Sequence, residues 1–171
     1  GRTSANAFND GLAFLSRGVL SGWECVPSSG MTVTIGGVPG ERDVAIAEDN
    51  VGNKTTINNI STVPISVTLD AAPATNSRID SIVLYVDNPP QGNSTDTDNP
   101  GACGMVVVKG TVAASPVAPD DNAIRTAITA DGGNGTAAYY VVVANIVVVS
   151  GTTTITQNLI ETTNMFDFQK L

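Results

Sequence analysis

Short apolar runs with a two-residue period constrain the fold of this chain more than any other feature of its sequence. In "GMTVTIGG", Met31, Val33 and Ile35 alternate with threonines, as in a strand with one buried face. Other strand-like runs lie at residues 40–50, 55–60, 64–69, 79–86, 105–112, 139–149 and 152–163. Gly, Pro, Asn and Asp separate these runs and leave little room for the helical crossovers of parallel sheets. We therefore expect a mainly β fold, an antiparallel sandwich or barrel, with a jelly-roll-like β-sandwich preferred.

One N-terminal stretch, "TSANAFNDGLAFLSRG", has the spacing of a short amphipathic helix. Thr3 or Ser4 can cap its first turn, and Gly18 is a natural end. Its apolar stripe consists of Ala5, Phe8, Leu12 and Leu15. We expect a single domain, in which this helix (residues 1–18) packs on a β-sandwich of residues 19–171. A second helix at residues 120–130 is an open alternative.

The charge balance is acidic and argues against two classes of partner. The net charge is −8, and only 8 residues are Lys or Arg. Binding to nucleic acid depends on Lys and Arg displacing counterions from the phosphates. The same basic residues are needed at an anionic membrane surface. We therefore expect neither a nucleic-acid partner nor a membrane partner.

The chain contains no histidine. This excludes Ser-His-Asp and Cys-His catalytic arrangements and removes the commonest zinc ligand. The carboxylates lie mostly in loops, where solubility and turn formation explain them. The segment "DTDNPG" resembles the start of a calcium loop, but Pro100 replaces one oxygen ligand and Val107 replaces the closing Glu. We expect no enzyme, no cofactor and no metal, with an incidental cation site in that loop left open.

Two polar loops, residues 87–104 and 130–138, are the expected contact surfaces, because long loops on a rigid sheet commonly carry binding residues. The candidate contact residues are Asp96, Asp98, Asn99, Asn134 and Trp23. Trp23 either caps the core or stacks on a sugar. Tyr139 and Tyr140 are adjacent, so in a strand they face opposite sides. For Cys25 and Cys103 we expect two buried thiols, with one disulfide left open.

The segment "RIDSIVLYV" places Arg78 and Asp80 at the start of an almost wholly apolar run. Residues two apart in a strand project from the same face, so the two side chains can pair or hold backbone groups of a neighbouring strand end. A buried charge is tolerated when it is paired and hydrogen-bonded. We predict a structural register pair, with the Arg78 stem packed and its charged head hydrated.

Three segments, "APATNSRIDSIVLYVDNPP", "VVVKGTVAASPVAPDD" and "YYVVVANIVVVSGTTTITQNLIETT", resemble in order and spacing a family of tailed-bacteriophage and prophage structural proteins. The upstream "GVLSGWECVPSSGMTVTIGGVPG" is similar to the start of that family. The resemblance implies a baseplate, tail-tip or fibre module without catalytic activity, often oligomeric.

From the resemblance and the composition together, we expect a virion structural protein that assembles in the bacterial host cytoplasm and mediates assembly and host attachment. The expected partners are other virion proteins, further copies of the chain with a trimer favoured, and a host surface glycan. A carbohydrate-binding adhesin module is the alternative. An enzyme acting on cell-wall glycans is a third hypothesis, which requires two carboxylates about 5–9 Å apart across a cleft.

Overall fold

The computed structural model describes residues 17–87 and 103–162. This part of the chain is mainly β, and its strands pair antiparallel, as the sequence predicts. The strands are β1 (Gly18–Ser21), β2 (Cys25–Pro27), β3 (Thr32–Ile35), β4 (Asp43–Glu48), β5 (Lys54–Asn59), β6 (Ile65–Thr68), β7 (Arg78–Val86), β8 (Gly104–Val108), β9 (Tyr139–Val148) and β10 (Ile160–Thr162). One α-helix, α1 (Asp121–Ala130), and a 3-10 turn (Gln157–Leu159) complete the described elements.

The strands form two sheets. The larger sheet has the order β1-β4-β9-β7-β8, with β5 paired to β4 and β10 paired to β9. The smaller sheet has the order β2-β3-β6. Strand β7 has a partner on each side and is buried along most of its length, which confirms its predicted central position.

The pairing of β7 with β9 contains a β-bulge. Ile82 pairs with Ala144, whereas Val83 pairs with Val142, so Val143 is the additional residue on β9. The ladder continues on both sides of the bulge, from Arg78 opposite Val148 onward. This is the longest strand pair among the described residues.

Apolar clusters lie on both faces of the larger sheet. The first cluster combines Val33 and Ile35 of the smaller sheet with Ile82 and Leu84 of β7. The second contains Val83 and Tyr85, the alternate residues of β7, together with Ile124 and Ile128 of α1. Because successive strand residues face opposite sides, α1 covers the face of β7 that points away from the first cluster.

Helix α1 confirms the open prediction of a helix at residues 120–130. The carboxylate of Asp120 accepts a hydrogen bond from the Ala123 amide at 2.8 Å and caps the helix. The first 16 residues of the predicted N-terminal helix (residues 1–18) lie outside the described residues. Gly18, which we expected to end that helix, instead begins β1.

Two predicted strands are shorter than their sequence pattern. The run at residues 105–112 leaves the ladder after Val108, because the Gly110 amide donates to the Asp80 carboxylate instead. The second run, residues 152–163, is described up to Thr162, and in that part only Ile160–Thr162 is a strand. The Ile155 amide bonds the carbonyl of Gly30, and the Thr152 hydroxyl bonds the carbonyl of Thr154. Local and inter-loop bonds therefore replace the predicted ladder.

Candidate functional site

The Arg78 and Asp80 side chains form a buried ion pair at the start of β7. The Nε of Arg78 donates to both carboxylate oxygens of Asp80, at 2.9 and 3.1 Å. Arg78 is 1% exposed and Asp80 is 0% exposed. The whole of Arg78 is thus buried, which corrects our expectation of a hydrated guanidinium. The guanidinium can lie inside the protein because each of its three nitrogens donates to an acceptor and the Asp80 carboxylate balances its charge.

The same pair reaches two further segments of the chain. Nη1 of Arg78 donates to the Ala71 carbonyl at 2.8 Å, and Nη2 donates to the Asp70 carbonyl at 2.7 Å. Asp80 accepts from the Gly110 amide at 2.9 Å. The pair therefore ties the start of β7 to the chain just after β6 and to the chain just after β8.

Two local features maintain this junction. A Cβ on Gly110 would lie 2.0 Å from the carbonyl oxygen of Ile79, so a side chain at this position would prevent the close approach. At the surface, Lys109 Nζ and Asp70 Oδ2 form a second ion pair of 2.8 Å between the same two segments. The hydrogen bond from Lys109, together with its charge, lowers the pKa of Asp70.

The hydrogen bonds of the Asp80 carboxylate and the Arg78 guanidinium indicate what this site can do. Both oxygens of Asp80 accept hydrogen bonds from the protein, and the guanidinium donates to Asp80 and to two carbonyls. A general base must come within hydrogen-bond reach of its substrate, and Asp80 is 0% exposed. The arrangement suits holding strand ends together. Its role in setting strand register stays a prediction.

A second buried carboxylate, Asp43, was missed by sequence analysis. It accepts hydrogen bonds from the Trp23 amide (2.7 Å), the Gly37 amide (3.0 Å) and the Asn59 side chain (2.9 Å). A Cβ on Gly36 would lie 2.4 Å from its Oδ2, so the backbone approaches the carboxylate very closely. The adjacent glycines in "TIGG" were the available signal, because paired glycines mark close backbone approach.

The structure corrects the assignment of Trp23 as a contact residue. Trp23 is 3% exposed and belongs to the first apolar cluster, so it caps the core. The backbone of Trp23 has φ +50°, a conformation uncommon for a residue with a side chain. The hydrogen bond from its backbone N–H to the Asp43 carboxylate stabilises this conformation. Tyr139 packs against the first cluster and Tyr140 belongs to the second, which confirms that they face opposite sides.

Two tyrosine hydroxyls bond carboxylates at the ends of α1. Tyr85 donates to Asp131 at 2.9 Å, and Tyr140 donates to Asp121 at 2.6 Å. Burial and the bonded carboxylate raise the pKa of both tyrosines. Arg125 also bonds Asp121, at 2.9 Å. Burial alone would raise the pKa of Asp121, but the hydrogen bonds from Tyr140 and Arg125 outweigh it and lower that pKa.

The two loops predicted as contact surfaces are only partly described. Asp96, Asp98 and Asn99 lie outside the described residues. Asn134 is half-buried, and its amide donates to Asp87 Oδ1 at 2.8 Å. The other oxygen of Asp87 is buried and has no hydrogen-bond partner within residues 17–87 and 103–162. The backbone of Asn134 thus connects its loop to the end of β7.

The two cysteines differ in environment. Neither forms a disulfide; Cys25 is buried and Cys103 is exposed, which corrects the expectation of two buried thiols. Burial raises the pKa of the Cys25 thiol to about 12. Cys25 is therefore protonated and unreactive at neutral pH.

Within residues 17–87 and 103–162, no group of three or more Cys, Asp or Glu side chains is placed to hold a metal ion. A polar surface depression of about 350 Å³ lies beside α1, lined in part by Asn50, Asn122 and Arg125. Among the described helices, none is long and apolar enough to span a membrane.

Comparison with protein-family models, with curated proteins and with solved structures found no match to this chain.

Proposed function

We propose that this protein is a structural module of a bacteriophage virion, a part of the tail, baseplate or fibre that mediates assembly. The main observation in support is that two buried carboxylates, Asp80 and Asp43, connect the ends of strands. Asp80 joins three segments through Arg78 and Gly110, and Asp43 joins three others. Such bonds favour a stiff body that transmits force between neighbours. The sequence resemblance supplies the virion setting.

The finer architecture that we propose is an antiparallel β-sandwich, jelly-roll-like in form. The first apolar cluster supports this, because it draws side chains from both sheets. Helix α1 then covers the outer face of the larger sheet, as the second cluster indicates. We further propose that the module forms homo-oligomers and contacts other virion proteins, with assembly in the bacterial host cytoplasm.

A role in host attachment is part of the proposal, and a surface glycan is the proposed receptor class. An adhesin that binds sugars by aromatic stacking finds less support. Trp23, Tyr85 and Tyr140 are each buried, so their rings do not offer a platform to a sugar. The polar depression beside α1, with amide and hydroxyl side chains, is the better candidate for contact with a glycan.

The test of the virion assignment is the location of the chain. Particles would be purified by density gradient from a bacterial culture that produces the protein, and peptides of the chain would be quantified by mass spectrometry. We expect the chain to copurify with particles at a constant ratio to the other virion proteins, and gold-labelled antibodies to mark the tail. A chain confined to the soluble fraction would contradict the proposal.

Host attachment is tested separately, by adding purified chain in excess to host cells before the particles. Competition for adsorption supports attachment. Unchanged adsorption removes the attachment role and leaves the assembly role in place.

A further inference from the structure

Strand β6 forms one edge of the smaller sheet. It pairs with β3 on one side, and the described residues place no strand on its other side. The strand is largely exposed, and exposed apolar side chains lie in and before it. Ile60 is 80% exposed, Val63 is 69% exposed and Ile65 is 37% exposed. An open edge with apolar side chains is a template for pairing with another strand.

The direction of the free backbone groups follows from the pairing with β3. The amide of Leu69 donates to the carbonyl of Met31, directly opposite it in the β3–β6 register. Because hydrogen-bonded and non-bonded pairs alternate along an antiparallel ladder, the backbone groups of Val67 also point towards β3. Those of Ser66 and Thr68 point away from β3, towards the open edge.

Charge indicates what can occupy this edge. Residues 55–69 contain no Asp, Glu, Lys or Arg, although the chain carries a net charge of −8. Two copies of an acidic protein repel each other least where their surfaces are uncharged. Edge strands of proteins that remain monomeric commonly carry a charged residue, often Lys, as protection, and β6 carries none.

We propose that β6 pairs antiparallel with β6 of a second copy of this chain, across a two-fold axis. The register places Val67 opposite Val67 of the second copy. In this register Ser66 of one copy lies opposite Thr68 of the other. The outward N–H groups and carbonyls of both residues are then hydrogen-bonded across the two-fold axis. A register centred on Ser66 would place Thr68 opposite Pro64, which has no N–H to donate.

This inference rests on the proposed function for the virion setting. It adds how copies of the chain associate with one another. A two-fold contact is isologous and produces an even number of chains. If the favoured trimer also forms through another surface, the β6 contact joins two trimers into a hexamer.

The first experiment measures the mass of the purified chain by light scattering after size exclusion. We expect an even number of chains. Ser66→Pro removes an outward N–H without removing a bond to β3, so it should halve the mass, with Thr68→Pro as the second variant. Ser66→Ala keeps the N–H and should leave the mass unchanged. A monomer, a trimer, or an even-numbered assembly that persists in a folded proline variant would overturn the inference.

The second experiment tests the register by crosslinking, in a Cys103→Ser background. Opposed residues at a non-bonded antiparallel pair have Cα atoms about 4.5 Å apart, within the range of a disulfide. Val67→Cys should therefore form a dimer under mild oxidation. The matched control, Val63→Cys, is exposed but lies about 25 Å from its counterpart in this register, and should not crosslink. A dimer from Val63→Cys alone would overturn the register.

The two proposals can fail independently. A monomer in solution that is nevertheless present in purified particles overturns the β6 contact and leaves the virion function. An even-numbered, proline-sensitive assembly that is absent from particles supports the β6 contact and contradicts the virion function.

Discussion

Arg78 and Asp80 lie two residues apart on β7, and their side chains form a 2.9 Å ion pair that is almost completely removed from solvent. Lys109 and Asp70 form a 2.8 Å pair between neighbouring segments, but both side chains are more than half exposed. The chain thus holds a buried and an exposed ion pair, close together, that can be compared directly.

Arg78→Ala should lower the free energy of unfolding by about 3–5 kcal/mol, because it leaves the Asp80 carboxylate buried without its cation. Lys109→Ala is the control and should cost much less, since an exposed pair is screened by solvent. Urea denaturation followed by tryptophan fluorescence measures both. Equal losses in the two variants would contradict a structural role for the buried pair.

Asp43→Ala removes the acceptor of three hydrogen bonds and leaves the Trp23 and Gly37 amides buried without partners. At about 1–3 kcal/mol for each unsatisfied buried group, we expect a loss of at least 2 kcal/mol. Glu41→Ala, an exposed neighbour, should change the free energy of unfolding by less than about 0.5 kcal/mol. Thermal melting by circular dichroism compares the two. A loss for Asp43→Ala no larger than that for Glu41→Ala would show that the carboxylate does not hold these loops.

Thiol titration should distinguish the two cysteines. At pH 8 a disulfide reagent should react with exposed Cys103 in the native protein, whereas Cys25 should react only after unfolding, because burial holds its pKa near 12. The Cys103→Ser variant should show no fast reaction. A fast-reacting thiol in that variant would mean that the strand carrying Cys25 opens readily.

Ionisation of Tyr85 should destabilise the protein in alkali. Burial and Asp131 raise its pKa above the ordinary value of 10.0, so the folded state retains the proton that the unfolded state loses. The stabilisation is complete below pH 10 and is lost as the pH rises above it. Tyr85→Phe cannot ionise. The stability difference between wild type and Tyr85→Phe should therefore shrink above pH 10 in melts from pH 8 to 11, and a constant difference would contradict this.

Sequence patterns predicted the strand framework well, because β3 alternates buried and partly exposed residues and β7 is an almost unbroken apolar run buried on both faces. They also placed Arg78 and Asp80 on one face. Periodicity could not reveal that Arg78 is fully buried, since its two carbonyl acceptors lie on a separate segment after β6. Asp43 was missed for the same reason. Two of its partners, Trp23 and Asn59, are 20 and 16 residues away in the sequence and meet it only in the folded protein.

The threonine-rich run at residues 152–163 shows the opposite failure. Its alternation imitates a strand, yet the hydroxyls of Thr152 and Thr156 bond nearby groups and most of the run leaves the sheet. Threonine is common in strands and also forms such local bonds, so its pattern alone cannot separate the two outcomes.

The bulge at Val143 has a consequence for how β9 tolerates change. Before it, odd-numbered residues such as Val141 face the first cluster, and after it even-numbered residues such as Ile146 and Val148 do so. Because Val143 is the additional residue, deleting it would make Val142 and Ala144 neighbours that face opposite sides, as in a regular strand, and both halves of β9 would keep their pairing with β7. The length of β9 can therefore change by one residue at this point without exposing the aliphatic side chains on either side of it.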